Sequence, residues 1–305
     1  MRVVSLLPSA TEICCALGVD PVGVTHECDY PPRVREAPTV VRSRIDTDGS
    51  SHAIDDEVQA SLSEGGVYDL DADRLRDLAP DVVVTQGLCD VCAVDESVVR
   101  GTLADLALDA DLVATHPHSL ADVFDDIERL GGVLGRADAA SDLLADLRER
   151  VDAVRARVPS DDDRPTATVL DWLDPVMVSG HWVPELVECA GGRFELGTAG
   201  AESGPVEWER VRETDPEVLV VAPCGFGVDR TRETLSDLTA RPGWDDLRAV
   251  REGRVYVVDG NHYVNRPGPR LVDTLEAFAW TLHPDRFDRP PAGMVERLSP
   301  ARESV

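Results

Sequence analysis

The sequence predicts an α/β protein: two α/β lobes with mostly parallel sheets, joined by one long helix. Three observations carry that prediction. β-branched runs alternate with helical segments along the first part of the chain, the alternation gives way to a long helical run near the middle, and it resumes after PSDDDRP at 159–165. At 305 residues, of which 43% are hydrophobic, the chain is long enough for two units that each hold a core. The expected bounds are an N-terminal lobe at 1–135, a connecting helix at 136–160 and a C-terminal lobe at 161–284. An irregular tail at 285–305, rich in Pro and Arg, closes the chain.

RVVSL (2–6) reads as a buried strand. A helix at 9–17 follows, with Ser9 as N-cap, Glu12 completing a capping box and Gly18 ending it. PVGVT (21–25) is the next strand and runs into HECDYPP. A helix at 72–79 leads to the strand DVVVT (81–85) and the loop QGLCDVCAV. A helix at 97–107 precedes DLVATHPHS (111–119), a strand with its loop. Helical runs at 119–134 and 138–158 come next, the second about 30 Å long at the usual rise per residue. TATVLDW (166–172), PVMVSG (175–180), EVLVVAP (217–223) and RVYVVDG (254–260) are the second set of strands. Helices at 184–190, 207–214, 231–239 and 269–282 surround them.

In open α/β sheets, ligands bind outside the carboxyl ends of the strands. The loops rich in titratable and aromatic groups all follow strands: HECDYPP, QGLCDVCAV, THPHS, DWLDP, SGHW, APCGF and DGNHYVNRPGPR. The sequence therefore places segments 26–30, 85–94, 172–182, 223–227 and 260–266 around one cleft. No G-x-S-x-G elbow, Walker loop or G-x-G-x-x-G occurs, and GGVLG (131–135) lacks a preceding strand. The expectation is a binding protein and not an enzyme.

Asp and Glu number 58 against 30 basic residues, all of them Arg, for a net charge of −28. Such a polyanion repels nucleic-acid phosphates and anionic lipid head groups, which excludes both as partners. The acids are spread along the chain, the pattern of a halophile's solvated surface. The opening MRVVSLLPS has no basic stretch leading into an apolar run and a cleavage site, and no apolar run reaches membrane-spanning length. As written, the chain is expected in the cytoplasm, without direct membrane insertion; a trimmed or misplaced start would make it extracytoplasmic.

At this point a family resemblance emerges. RVVSLLPSATEICCALG followed by PVGVTHECDYPP resembles the opening of the substrate-binding proteins of cobalamin and iron-siderophore ABC importers. The similarity resumes at LRDLAPDVVVTQ, VPELVECAGG, GPVEWERVRETDPEVLVVAP and NRPGPRLVDTLEAFAWTLHP, in order, to about residue 284. The pattern is nearest to the cobalamin binders. The resemblance implies a class III periplasmic-binding-protein-like fold, non-enzymatic binding of a cobalamin-type corrinoid or related metal chelate, and an ABC transporter permease as partner. Trp172 and Tyr263 match aromatic positions that pack on the ligand. Glu27 and Gln86 stand where a Tyr and a Trp are expected. Asp73 retains one of two acidic transporter-docking residues, and Asn265 replaces the other. An insertion at roughly 45–68 has no counterpart. These departures, with the opening, point to a cytoplasmic branch that does not feed an importer.

The Cys and His residues admit several readings. Cys14, Cys15 and Cys189 lie in apolar helical stretches and behave as small hydrophobes. Cys28, Cys89, Cys92 and Cys224 lie in loops. His26, Cys28, Cys89 and Cys92 together suit zinc or iron, with Cys89 and Cys92 as a C-x-x-C half that also suits a thiol redox pair. Alternatively His26 or a Cys thiolate takes an exchangeable axial position on the ligand's own metal. In a third reading His26 and Cys28 are structural, with His26 and Asp29 satisfying backbone groups and Tyr30-Pro31-Pro32 a rigid turn. His116, His118, His181 and His262, taken singly, are hydrogen-bonded structural residues. His181 and Trp182 precede a helix starting near Pro184 and are placed at the cleft edge; Trp182 and Trp208 either cover a ligand or cap the core. The reading from a different class is a cytoplasmic Cys/His metal-site protein, redox or sensory, holding zinc or iron.

Overall fold

The structure, a computed structural model, describes residues 1–63, 66–88, 91 and 93–298. The chain forms two compact units. Met1–Gly49, Ala53–Pro117 and Ala121–Asp146 make the first; Ser50–His52, His118–Leu120 and the chain from Leu147 onward make the second.

The first unit has six strands: β1 (Val3–Ser5), β2 (Val24–Thr25), β3 (Thr39–Ser43), β4 (Tyr68–Leu70), β5 (Val82–Gln86) and β6 (Asp111–Thr115). β1, β5 and β6 form one parallel sheet with β5 in the centre, Val3 facing Val82 and Val84 facing Val113. Every residue of β5 is buried, which explains why its β-branched run is continuous instead of alternating. β2, β3 and β4 form a second sheet, linked to the first by a bridge between Val4 and Gly23. Gly23 lets the side chains close over this bridge: a Cβ would lie 2.5 Å from the tip of Leu78 and 3.2–3.3 Å from Val40 and Val4, which would have to give way. Val4, Leu6, Val40, Leu75, Val83 and Val99 make the heart of this unit's core.

The second unit carries β7 (Thr166–Leu173), β8 (Val176–Val178), β9 (Arg193–Phe194), β10 (Gly204–Pro205), β11 (Val218–Val221), β12 (Val255–Val258) and β13 (Val295–Arg297). They form one sheet in the order β10-β8-β7-β11-β12-β13, with β9 pairing with β7. β7, β11 and β12 run parallel, whereas β8, β10 and β13 add antiparallel ladders. Helix Ala137–Arg155 carries the chain from the first unit into the second. Near its end, Arg150 forks onto Glu276 through Nε at 2.9 Å and Nη2 at 2.8 Å, anchoring it to helix Leu271–Leu282. Among the described residues no helix is long and apolar enough to cross a membrane.

Two local readings change, and one stretch left unassigned gains its elements. The first helix is Pro8–Ala16, with Pro8 in its first turn and Leu7 as an N-cap that offers no side-chain bond. The preset φ of Pro8 starts the helix one residue early and puts Ser9 inside it, so the expected capping box does not form. The segment without a family counterpart folds as helix Ser51–Ser63 followed by β4. The tail expected to be irregular contributes β13, paired with β12 through Val258 and Val295.

Leu75 is fully buried in the first core. Leu75→Ala is expected to remove about 2–5 kcal/mol of stability, read as a lower denaturant midpoint. Val98→Ala, at a position 46% exposed, is expected to stay within about 0.5 kcal/mol.

Candidate functional site

In the second unit, the loops at the carboxyl ends of β7, β11 and β12 interlock. Trp172, on β7, lies 5.3 Å from Phe226 between ring centroids and donates Nε1–H to the Asp174 carbonyl at 3.2 Å. The Phe226 carbonyl accepts from the N–H groups of Gly260 and Asn261, each at 3.0 Å, tying the loop after β11 to the loop after β12. Only glycine fits at 260, because a Cβ would lie 2.2 Å from the Pro223 carbonyl oxygen. Asp259 caps the helical turn Gly260–Val264, accepting from the His262 N–H at 2.8 Å and holding His262 Nδ1 at 2.7 Å. Trp182 donates Nε1–H to the Val264 carbonyl at 2.9 Å, and the His181 ring stacks on Trp182.

The structure thus joins Trp172, His181, Trp182 and the turn containing Tyr263 into one set. Tyr263 lies beneath the Arg270 guanidinium, 4.9 Å from ring centre to carbon. It also lines an open groove of about 390 Å³ with Arg150, Arg157, Glu276, Phe287 and Met294. Trp182 is only 5% exposed, so its main face belongs to the core. Trp208 stacks on Trp244 and donates to the Pro242 carbonyl. Asn265 donates to the Ala222 carbonyl at 3.1 Å, which gives it a structural role.

Two polar groups of this region escaped the sequence reading. Asp171, within β7, is 8% exposed, and burial pushes its carboxyl pKa up to about 6 against the opposing pull of the Ser203 hydroxyl. Its Oδ1 has no partner among the described residues. A lone acid interrupting the apolar run TATVLDW was the available signal. The second is the contact of His118 with His181, whose ring centroids are 5.5 Å apart. No sequence pattern announces it. The backbone of His181 is left-handed, at φ +51°, held by bonds of its N–H to Ala201 and of its carbonyl to the Gly200 N–H. Desolvation, then the neighbouring His118, lowers the His181 pKa below the ordinary imidazole value.

In the first unit, His26 follows β2 and places Nδ1 3.1 Å from the Val41 carbonyl, with Nε2 3.9 Å from Glu27 Oε1. Glu27 is exposed, and its N–H donates to Thr25 Oγ1 at 2.9 Å. Cys28, expected on the ligand wall or on a metal, is instead taken into an apolar cluster with Cys15, Val24 and Val34. It is 4% exposed, and its Sγ lies 3.1 Å from Thr11 Oγ1, because the helix Pro8–Ala16 turns Thr11 and Cys15 toward the loop. Burial pushes the Cys14 and Cys15 thiols up to about 12, so both stay protonated. Gln86 ends β5 and is buried. Asp73 is exposed and pairs with Arg76. Cys89 and Cys92 lie outside the described residues, and among the described residues no group of three or more His, Cys, Asp or Glu is arranged around one ion.

Comparison with known proteins gives a consistent result. A family model described as periplasmic binding protein matches residues 3–261. An uncharacterized ABC transporter substrate-binding lipoprotein of Bacillus subtilis (strain 168) is 24% identical over 290 residues, covering 94% of this chain and 81% of its own. A cobalamin-binding protein of Halobacterium salinarum is 28% identical over 170 residues, 54% of this chain and 45% of that relative. The crystal structure of a periplasmic heme-binding protein from Pseudomonas aeruginosa has the same two-lobed α/β fold, with a TM-score of 0.71 at 21% identity and 98% coverage of each chain. These matches correct the cytoplasmic expectation, since the family is one of periplasmic proteins and the Bacillus relative is a lipoprotein. The opening run VVS forms β1 of the first unit, so its apolar character reports on the fold and not on location.

The buried Asp171 generates a pH prediction. Its folded pKa, about 6, lies above the reference value of 3.8, so the folded state holds the proton more tightly than the unfolded chain. Its contribution is fully present below about pH 4 and is lost as pH rises through 6, up to about 3 kcal/mol. Asp171→Asn removes that slope. The melting temperature of the variant relative to the native chain is expected to increase between about pH 4 and pH 7.5. A difference independent of pH would refute the assignment.

Proposed function

The chain belongs to the periplasmic binding protein family, and from that premise we propose that it captures a cobalamin-type corrinoid or a related metal chelate for an ABC importer. It is a substrate-binding component and not an enzyme. The observation that carries the ligand reading is Trp172, half-buried and backed by the core residue Phe226, among the loops that end β7, β11 and β12. A large planar chelate is bound by burying its faces, and aromatic rings supply that area at low entropy cost. The Halobacterium relative, which is named for cobalamin binding, supports the same ligand class.

A heme is the second reading, favoured by the name of the Pseudomonas structure. Charge argues for the corrinoid. Heme carries two propionates, whereas the corrin rim carries neutral amides, and the chain's net charge of −28 disfavours an anionic ligand. His26, Glu27, His181 and Tyr263 are proposed as polar or stacking contacts and Asp73 as a transporter-docking residue. Location outside the cytoplasm follows from the same proposal, supported by the relatives' names.

The test is to titrate the purified chain separately with hydroxocobalamin, hemin and a ferric hydroxamate, then desalt and record absorption spectra. Co-elution of the corrinoid, weakened about 10- to 100-fold by Trp172→Ala, is the expected result. Co-elution of hemin alone would replace the corrinoid by heme, and no bound chelate of any kind would sink the reading. The acidity also supports a high-salt setting. The melting temperature is expected to rise as KCl increases from about 0.1 M to about 2 M, because counterions screen self-repulsion.

A further inference from the structure

We infer that His118 and His181 form a two-imidazole site for one divalent transition-metal ion. Both belong to the second unit, although His118 lies in sequence between segments of the first. Their ring centroids are 5.5 Å apart with the planes tilted by 52°. A metal–nitrogen bond of about 2.0–2.1 Å places each ring centre about 3.2 Å from the metal, and a tetrahedral angle then separates the centres by about 5.2 Å. The observed centroid spacing is thus compatible with one ion shared by the two rings.

Three further features of His181 fit this role. Its backbone is held in the left-handed region by the Ala201 and Gly200 hydrogen bonds, a conformation that non-glycine residues seldom adopt without a local reason. Its Nδ1 is buried and has no partner among the described residues. The Glu202 carboxylate acts on the ring through space and adds favourable charge for a bound cation. Imidazole donors suit copper, nickel and zinc. The protein supplies two donors and water completes the shell, in keeping with the absence of any three-residue cluster among the described residues. This site shares His181 with the proposed chelate contacts, but it is argued from the His pair alone.

Trp182 provides a reporter, because the His181 ring stacks on it at 5.6 Å. The experiment is to strip the full chain with a chelator and titrate it with Cu²⁺, following tryptophan fluorescence and electron paramagnetic resonance. Quenching that saturates at one equivalent, with a spectrum showing two imidazole nitrogens, is expected for the native chain. His118→Gln and His181→Asn are each expected to weaken binding at least about tenfold. Asn tolerates the left-handed backbone, and circular dichroism verifies that the variants fold. His52→Gln, at an exposed histidine, is expected to leave the titration unchanged. Unchanged affinity in both site variants, or fewer than two imidazole nitrogens in the native spectrum, would overturn the inference.

Discussion

A parallel ladder can be closed only by a crossover that returns the chain to the end from which it started. β1, β5 and β6 in one unit and β7, β11 and β12 in the other obey that constraint. Segments remote in sequence become neighbours as a result. Phe226 holds the backbone of Gly260 and Asn261 because β11 and β12 end side by side. The aromatic pair and the capped turn at Asp259 inherit their positions from this pairing, whereas the His181 loop follows the antiparallel strand β8.

Arginine supplies the second layer of order. The chain has no lysine, and its guanidinium groups act as forks at places where the backbone turns. Arg241 bonds the Leu173 carbonyl and Asp174 Oδ1, both at 3.0 Å, and so fixes the turn whose carbonyl receives Trp172. Arg248 joins Glu217 and Glu252 in the same manner. On so acidic a surface these contacts place each scarce positive charge where it also organises a loop.

Much of the fold was legible because its signals are local. DVVVT and EVLVVAP are apolar runs with β-branched residues, and each forms a buried strand within a residue or two of the expected bounds. The helix after β1 shifted only because Pro8 can open a helix without an N–H. The site was less legible, since its contacts are tertiary. Trp172 is visible in sequence, but its Phe226 partner arrives from another loop. Cys28 looked like a ligand because it sits in a loop among His, Glu and Asp, and only the inward face of helix Pro8–Ala16 shows that it is core. The contact between His118 and His181 requires the second unit to collect a short segment from within the first.

Both margins of the large sheet are closed to foreign strands. At one margin β10 is two residues long, and Pro205 has no N–H to donate. At the other, β13 is three residues long; Glu296 pairs with Arg232 and Arg297 lies over the Tyr256 ring. Without β13 the outer edge would be β12, a buried run of Val and Tyr with open backbone groups. Loss of β13 would thus turn that edge into a template for edge-to-edge aggregation, although no ligand-contacting residue had changed.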